Sequence, residues 1–387
     1  MIRKGSEMLI RKNRSLKKVV LIIFMLAGIL SACTAKPANL PDSPGVKEAV
    51  VTGIIDKYGI AVTDLTGADM LSAGYEYGDI LAVKAGEAEF EVPFVTNFSD
   101  VDIGRGCLAD MGVVLLAANM ADFVSAHDIR QGMTVSFTMA EKAGYLETYQ
   151  LRQVTRSYDR EDYASDEIFA NFREVRPGNI APGVLYRSSS PADNMLGRAA
   201  YANALAEQAG IATVLNLTDS REALIAHFSS SDFLPAFYEG LFDNGRVLYL
   251  DMGNDIESDE FRYSLRDGFM LLAEYDGPYL IHCTEGKDRA GFMIMLIEAL
   301  MGSDLDEIVA DYMLSYVNYY HVEPGSERYA SIAEGNILKT LQIIAGLDLE
   351  ADLADVDLQA AAQEYIAALG VSPEHILAIK SNLSFER

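Results

Sequence analysis

Residues 278–291 read Pro-Tyr-Leu-Ile-His-Cys-Thr-Glu-Gly-Lys-Asp-Arg-Ala-Gly. Pro278–Cys283 is an apolar run of the length a buried strand takes. Ala290–Met301 is apolar nearly all round, as a helix packed on every side is. The polar stretch between them therefore sits where a strand turns into a helix. Backbone N–H groups of such a loop, with the helix N-terminus behind them, converge on one spot and favour an anion there. Cys283 and Arg289 flank that spot, with Gly286 between them.

Each residue type fits a phosphate cradle. A cysteine reacts as its thiolate, and a helix N-terminus with a nearby cation favours that form; Cys283 has both in prospect. Attack of its sulfur on phosphorus gives a phosphocysteine that water then cleaves. Arg289 offers a planar fork for two phosphate oxygens. The loop amides share the charge of the transferring group, so the phosphate-binding set is Thr284, Glu285, Gly286, Lys287, Asp288 and Arg289. Gly286 permits close backbone approach. His282 is suited to fixing the loop through backbone carbonyls rather than to acting as a base. Lys287 reads either as a contact for a second phosphate or acidic neighbour, or as a solvated lysine paired with Asp288 or Glu285. With amides and Arg289 supplying the positive field, neither a metal nor an organic cofactor is called for.

His-Cys-x5-Arg is the signature of the cysteine-dependent protein tyrosine phosphatase superfamily. The fuller string resembles bacterial tyrosine phosphatases whose loop carries Gly-Lys-Asp-Arg. Asn171-Phe172-Arg173-Glu174-Val175, Leu185-Tyr186-Arg187-Ser188-Ser189 and Ile308-Val309-Ala310-Asp311-Tyr312 are similar to the same group. The resemblance implies phosphomonoester hydrolysis through Cys283, on phosphotyrosine proteins or small phosphoesters. It also implies an aspartate general acid on a neighbouring loop. The loop after the expected strand Arg246–Met252 offers Asp255 first and Asp251 second. Members of the group carry Thr or Ser directly after the arginine; Ala290 stands here, which implies slower release of phosphate from cysteine. Two other readings stay open: an inositol phosphate or phosphoinositide phosphatase, from Lys287, and a non-catalytic module that binds phosphorylated ligands, from Ala290. Arg187 and Arg221 read as surface ion-pair residues near the pocket rim.

The N-terminus reads as a targeting segment. Residues 1–32 carry seven Lys or Arg and one acid, Glu7. Val19–Ile29 is apolar and too short for a permanent membrane helix. Leu30-Ser31-Ala32-Cys33 resembles a bacterial lipobox, with Cys33 the lipidated residue. The expected location is the extracytoplasmic face of a bacterial membrane, held by that lipid alone. Of three cysteines, only Cys107 then lacks a task, and it reads as a small core hydrophobe. The whole chain carries −26, which excludes nucleic-acid binding through backbone electrostatics.

The expected organisation is a signal peptide over 1–32, a linker over 33–47, a β-rich accessory domain over 48–156 and a phosphatase domain over 157–387. In the accessory domain Ala49–Ile55, Ile60–Asp64, Gly78–Lys84, Glu87–Val95, Val113–Ala117, Met133–Thr138 and Tyr145–Val154 read as strands of a barrel or sandwich. Asp56-Lys57-Tyr58-Gly59, Gly74-Tyr75-Glu76-Tyr77-Gly78-Asp79, Phe98-Ser99-Asp100-Val101 and Ala117-Ala118-Asn119 faintly resemble the C-terminal β-domain of adenosyl-transferring hydroxide enzymes. Asp100 and Asn119 are candidates for a small-molecule site; a spacer or protein-contact role is the simpler expectation. From Tyr158 helices and strands alternate, which predicts an α/β domain with a parallel sheet flanked by helices. Its ligand would sit beyond the carboxyl ends of the strands, where Cys283 falls.

Overall fold

Alternating burial sets the first half of the chain. In β3 (Ile80–Ala85) Leu81, Val83 and Ala85 turn inward and their neighbours outward, the period of a half-buried strand. The alternation also appears in β1 (Lys47–Ile55) and β7 (Thr134–Glu141), whereas β2 (Ile60–Thr63), β4 (Ala88–Val95), β5 (Gly106–Asp110) and β6 (Val114–Ala118) carry consecutive buried residues. These seven strands close in the order β1-β2-β6-β5-β4-β3-β7, and β7 pairs back onto β1. Closure removes the free edges a sheet this small would otherwise expose. Leu81, Phe94, Leu108, Leu116, Val135 and Phe137 fill the interior. The computed structural model describes residues 44–230 and 233–384. The expected signal segment 1–32, Cys33 and most of the linker lie outside those residues.

Two expectations for this half are corrected. Tyr145–Val154 is not a strand; Leu146–Arg152 is a helix. Tyr145 and Tyr149 lie one helical turn apart and pack together with Val101 and Cys107, so the apolar spacing that passed for alternation is helical. The seventh strand is instead β5, which carries Cys107 at 0 % exposure. Its Gly-Cys-Leu-Ala-Asp sequence gives little β signal, and its pairing with β6 along the full length of both strands makes it one.

The second half is built on a five-stranded sheet in the order β11-β10-β12-β9-β8. Its strands are β8 (Arg173–Glu174), β9 (Leu185–Ser188), β10 (Thr213–Asn216), β11 (Val247–Tyr249) and β12 (Tyr279–His282). β9, β10, β11 and β12 run parallel, while β8 is an antiparallel edge. β12 is central, and all four of its residues are buried. The helix Asp288–Leu300 behind it has every residue from Arg289 onward buried.

From Pro44 onward both halves belong to one compact unit. Ile103 and Met120 of the barrel half enter the same apolar core as Ile281 and Phe292. Backbone bonds join the halves directly: Ile103 N–H donates to Gly335 O at 2.9 Å and Ile256 N–H to Met120 O at 3.3 Å. Arg152 pairs with Asp102 beside Gly335, which lies in a π-helical turn over Glu334–Leu338. The barrel half is therefore no spacer.

Candidate active site

The loop leaves β12 at the carboxyl end of the central strand. Its carbonyls are taken up by the scaffold one after another. Cys283 O faces His282 Nδ1 at 3.4 Å, and Thr284 O accepts from Ser190 N–H at 3.2 Å. Glu285 O accepts from the Tyr319 hydroxyl at 2.7 Å and from Asn171 Nδ2 at 3.2 Å. Gly286 O accepts from Arg187 Nη2 at 2.8 Å, and Lys287 O from the same nitrogen at 3.2 Å. A trans peptide points its N–H opposite its carbonyl, so the amides of residues 284–288 turn to the other side and form the cradle. Gly286 sits at φ +68°, and a Cβ there would stand 2.1 Å from Ser188 O; only glycine fits.

Arg187 is not a surface residue. It is fully buried, and its Nη1 pairs with Asp311 at 2.6 Å. Arg173 grips the other oxygen of Asp311 at 2.9 Å. Burial works against the Asp311 charge, but the two guanidiniums hold its carboxyl below the usual range. Asn171, at 0 % exposure, bridges the loop to Ser315 and accepts from Arg173 and Asn318. Arg221 is exposed, as expected.

His282 is buried against Tyr238, whose hydroxyl lies 2.9 Å from Nε2. Burial pushes its pKa down to about 4, so the imidazole is neutral. A carbonyl only accepts, so the contact with Cys283 O assigns the proton to Nδ1, and Nε2 then accepts from Tyr238. Asn216 Nδ2 donates to the same tyrosine oxygen at 3.0 Å.

Cys283 opens into a cavity of about 250 Å³. From the second half of the chain, Thr284, Glu285, Asp288, Arg289 and Asn254 line it with the cysteine. Arg289 Nη1 donates to Met252 O at 2.9 Å and Nη2 to Thr284 Oγ1 at 3.4 Å, which fixes the plane of the guanidinium beside the cradle. Glu285 pairs with Arg156. Burial raises the carboxyl pKa of Asp288, and Lys287 and Arg289 only partly offset this.

Three candidates sit elsewhere. Asp255 accepts from Glu257 N–H at 3.0 Å and lines a separate cavity with Asp122 and Glu257. The chain turns there into the helix Asp259–Glu274, capped by Ser258, and Asn254 takes the place at the Cys283 cavity. Asp251 is exposed and paired with Lys57 of the barrel half. Lys287 keeps the expected partners, Glu285 at 3.5 Å and Asp288 at 3.8 Å, but it is not solvated: at 4 % exposure its ammonium lies 5.1 Å from the Tyr316 ring centre and 5.3 Å from that of Tyr320. It is absent from the cavity lining.

The barrel half supplies what sequence reasoning missed. Tyr58, Ile60, Phe98, Asn119 and Met120 line the same cavity. Of the two small-molecule candidates there, Asn119 is at the cavity and Asp100 is not; Asp100 caps the turn that carries Phe98. Cavity residues contributed from across a fold leave no local motif, so only the faint resemblance at 56–59, 98–101 and 117–119 touched them.

The sequence model of the tyrosine phosphatase family matches residues 168–384. A provisionally named tyrosine-protein phosphatase of Cupriavidus necator is 46% identical over 48 residues, 12% of this chain and 18% of that protein. A triple specificity protein phosphatase of Mycobacterium tuberculosis is 53% identical over 38 residues, 10% of this chain and 14% of that protein. The chain thus spans less than a fifth of the length of either relative. Among solved structures, the core catalytic domain of a PP-IP phosphatase from S. cerevisiae aligns with a TM-score of 0.25 and 20% identity, covering 45% of this chain and 95% of that one.

Proposed function

Because this chain belongs to the tyrosine phosphatase family, we propose that it is a cysteine-dependent phosphomonoesterase of the Gly-Lys-Asp-Arg bacterial type that hydrolyses phosphotyrosine. One observation carries the reading: Cys283 and Arg289 line a single cavity at the carboxyl end of the central parallel strand, ringed by amides whose carbonyls are tied away. The Cys283 sulfur attacks phosphorus, and the S–P bond forms as the P–O bond to the aryl group breaks. The electron pair passes to the leaving oxygen, which takes a proton from Asp288. Asp288 then removes a proton from water, the water oxygen attacks phosphorus, and the S–P bond breaks to free phosphate and thiolate. Asp288 holds the acid role because it lines the cavity beside Cys283 and Arg289, and its carboxyl pKa is raised from the ordinary value, which favours a proton donor. Arg289 and the amides stabilise the oxygens throughout.

Inositol polyphosphates are a poorer match. The cavity lining has one cation, Arg289, and the Lys287 ammonium is paired with Glu285 and Asp288 and enclosed by tyrosines. A panel of phosphotyrosine peptide, phosphoserine peptide and soluble inositol phosphates, offered to wild type and Cys283→Ser, tests the reading. Phosphotyrosine turnover that falls to background in the variant is expected. Faster turnover of inositol phosphates would overturn the substrate, and binding without turnover would overturn the enzyme.

We propose further that residues 1–32 are a signal peptide and that Cys33 carries a lipid holding the protein on the extracytoplasmic face. The order of basic region, apolar run and Leu-Ser-Ala-Cys supports this. Labelled palmitate should be incorporated by the full chain and lost in Cys33→Ser; label retained in the variant would exclude it.

A further inference from the structure

The lining of the Cys283 cavity divides by chemistry along the chain. Every residue from the phosphatase half is polar or ionisable: Asn254, Cys283, Thr284, Glu285, Asp288 and Arg289. Every apolar or aromatic residue comes from the barrel half: Tyr58, Ile60, Phe98 and Met120. A phosphate end and an apolar end thus meet in one space of about 250 Å³. We propose that the barrel wall, chiefly Tyr58 and Phe98, is the leaving-group subsite, and that it selects substrates whose phosphate is borne on an aromatic ring. This rests on the phosphatase reading above and adds the element that recognises the rest of the substrate.

Several features support a built wall rather than a passing surface. Phe98 opens a short turn fixed by two reciprocal bonds, Ser99 N–H to Asn97 Oδ1 at 3.0 Å and Asn97 N–H to Asp100 Oδ2 at 2.9 Å. Tyr58 ends the turn Asp56–Tyr58 between β1 and β2, closed by Gly59 in the left-handed region. Both rings are half-buried, so each keeps a face to offer. Behind them Met120 belongs to the shared apolar core, and its carbonyl receives Ile256 N–H from the phosphatase half. Asn119 spends its amide hydrogens on Val101 O and Asn336 Oδ1; it joins the halves and is a positioning residue. An aryl group lying against either ring can stack or meet it edge-on, while an alkyl phosphate forfeits that contact.

The test separates the two ends of the cavity. Wild type, Phe98→Ala, Phe98→Leu and Tyr58→Ala are compared for kcat/KM on phosphotyrosine and on a small alkyl phosphate. Inhibition by tungstate, which engages the phosphate end alone, is measured in parallel. Lys84→Ala, on the exposed Lys84–Glu89 pair of the barrel, is the control. Loss of either ring should lower kcat/KM for phosphotyrosine by roughly three- to tenfold and leave alkyl phosphate turnover and the tungstate constant unchanged. Phe98→Leu, which keeps bulk without a ring, should fall between and guards against misfolding of the alanine variant. Equal losses on aryl and alkyl substrates, or none on the aryl one, would overturn the proposal. Calorimetry on Cys283→Ser keeps this independent of turnover. Phosphotyrosine should bind more tightly than inorganic phosphate, with that margin lost in the Phe98→Ala background; no margin would reject the wall even if the enzyme is active. Should wild type turn over nothing while the margin persists, the phosphatase reading fails and the wall stands.

Discussion

Asp288 shows how one side chain takes its chemistry from its surroundings. It opens the helix behind the cradle, where a carboxylate is ordinarily favoured by the N-terminal dipole. Burial and the neighbouring Glu285 nevertheless raise its pKa against the pull of Lys287 and Arg289. A carboxyl that keeps its proton longer suits an acid that must protonate a leaving oxygen. Asp288→Asn should therefore lower kcat/KM on phenyl phosphate by about 100-fold or more, and leave kcat/KM on an activated dinitrophenyl ester nearly untouched. Asp255→Asn should alter neither. Leaving-group sensitivity that appears instead in the Asp255 variant would return the role to that residue.

At the scale of elements, the cradle is a strand–loop–helix unit whose shape is imposed from outside it. Its carbonyls are held by Arg187 from β9, Tyr319 from the helix Leu305–Tyr320 and Asn171 from the turn before β8. Arg187 and Arg173 share Asp311 in the dry interior. Buried pairs of this kind contribute little net stability because desolvation offsets attraction, yet removing one partner costs about 3–5 kcal/mol. Their value here lies in fixing which way each peptide faces. The loop after β11 is gripped in the same manner: Lys57 of the barrel holds Asp251 and donates to Thr218 O at 2.9 Å. A Cβ on Gly253 would stand 2.6 Å from Lys57 O. Met252, between those two contacts, supplies the carbonyl that orients Arg289. The barrel thus reaches Arg289 through one loop.

For the molecule as a whole, stability is tied to pH through His282 at the end of the central strand. Burial holds its pKa at about 4, against roughly 6.5 in an unfolded chain. Between those values the unfolded state binds a proton that the native state refuses. The contribution of the neutral imidazole is therefore complete above pH ~6.5 and is lost as pH falls toward ~4, a change on the order of 3 kcal/mol. Urea unfolding of wild type and His282→Asn from neutral to acid pH checks this. The wild-type advantage should shrink steadily on acidification, since carboxylate titration is common to both proteins. Parallel curves would show that the histidine titrates normally.

The string from Pro278 to Gly291 was enough to bring Cys283 and Arg289 to one spot beyond the central strand, because its information is local. A buried strand, a glycine-bearing loop and an apolar helix follow one another in the chain, and the residues that face the anion are neighbours in sequence. The α/β character of residues 157–387 and the β-rich character of the preceding segment were legible for the same reason, as each rests on short-range periodicity. The Leu146–Arg152 helix was not, since two tyrosines four apart fit alternation as well as a helical turn until packing chooses. Nor could sequence separate Arg187, buried and structural, from Arg221, exposed. Side-chain partners a hundred residues away decide that, and local pattern carries no record of them. The choice among Asp251, Asp255 and Asp288, and the apolar wall lent by Tyr58 and Phe98, belong to the tertiary structure alone, because both depend on where a loop lands after a barrel has docked beside it.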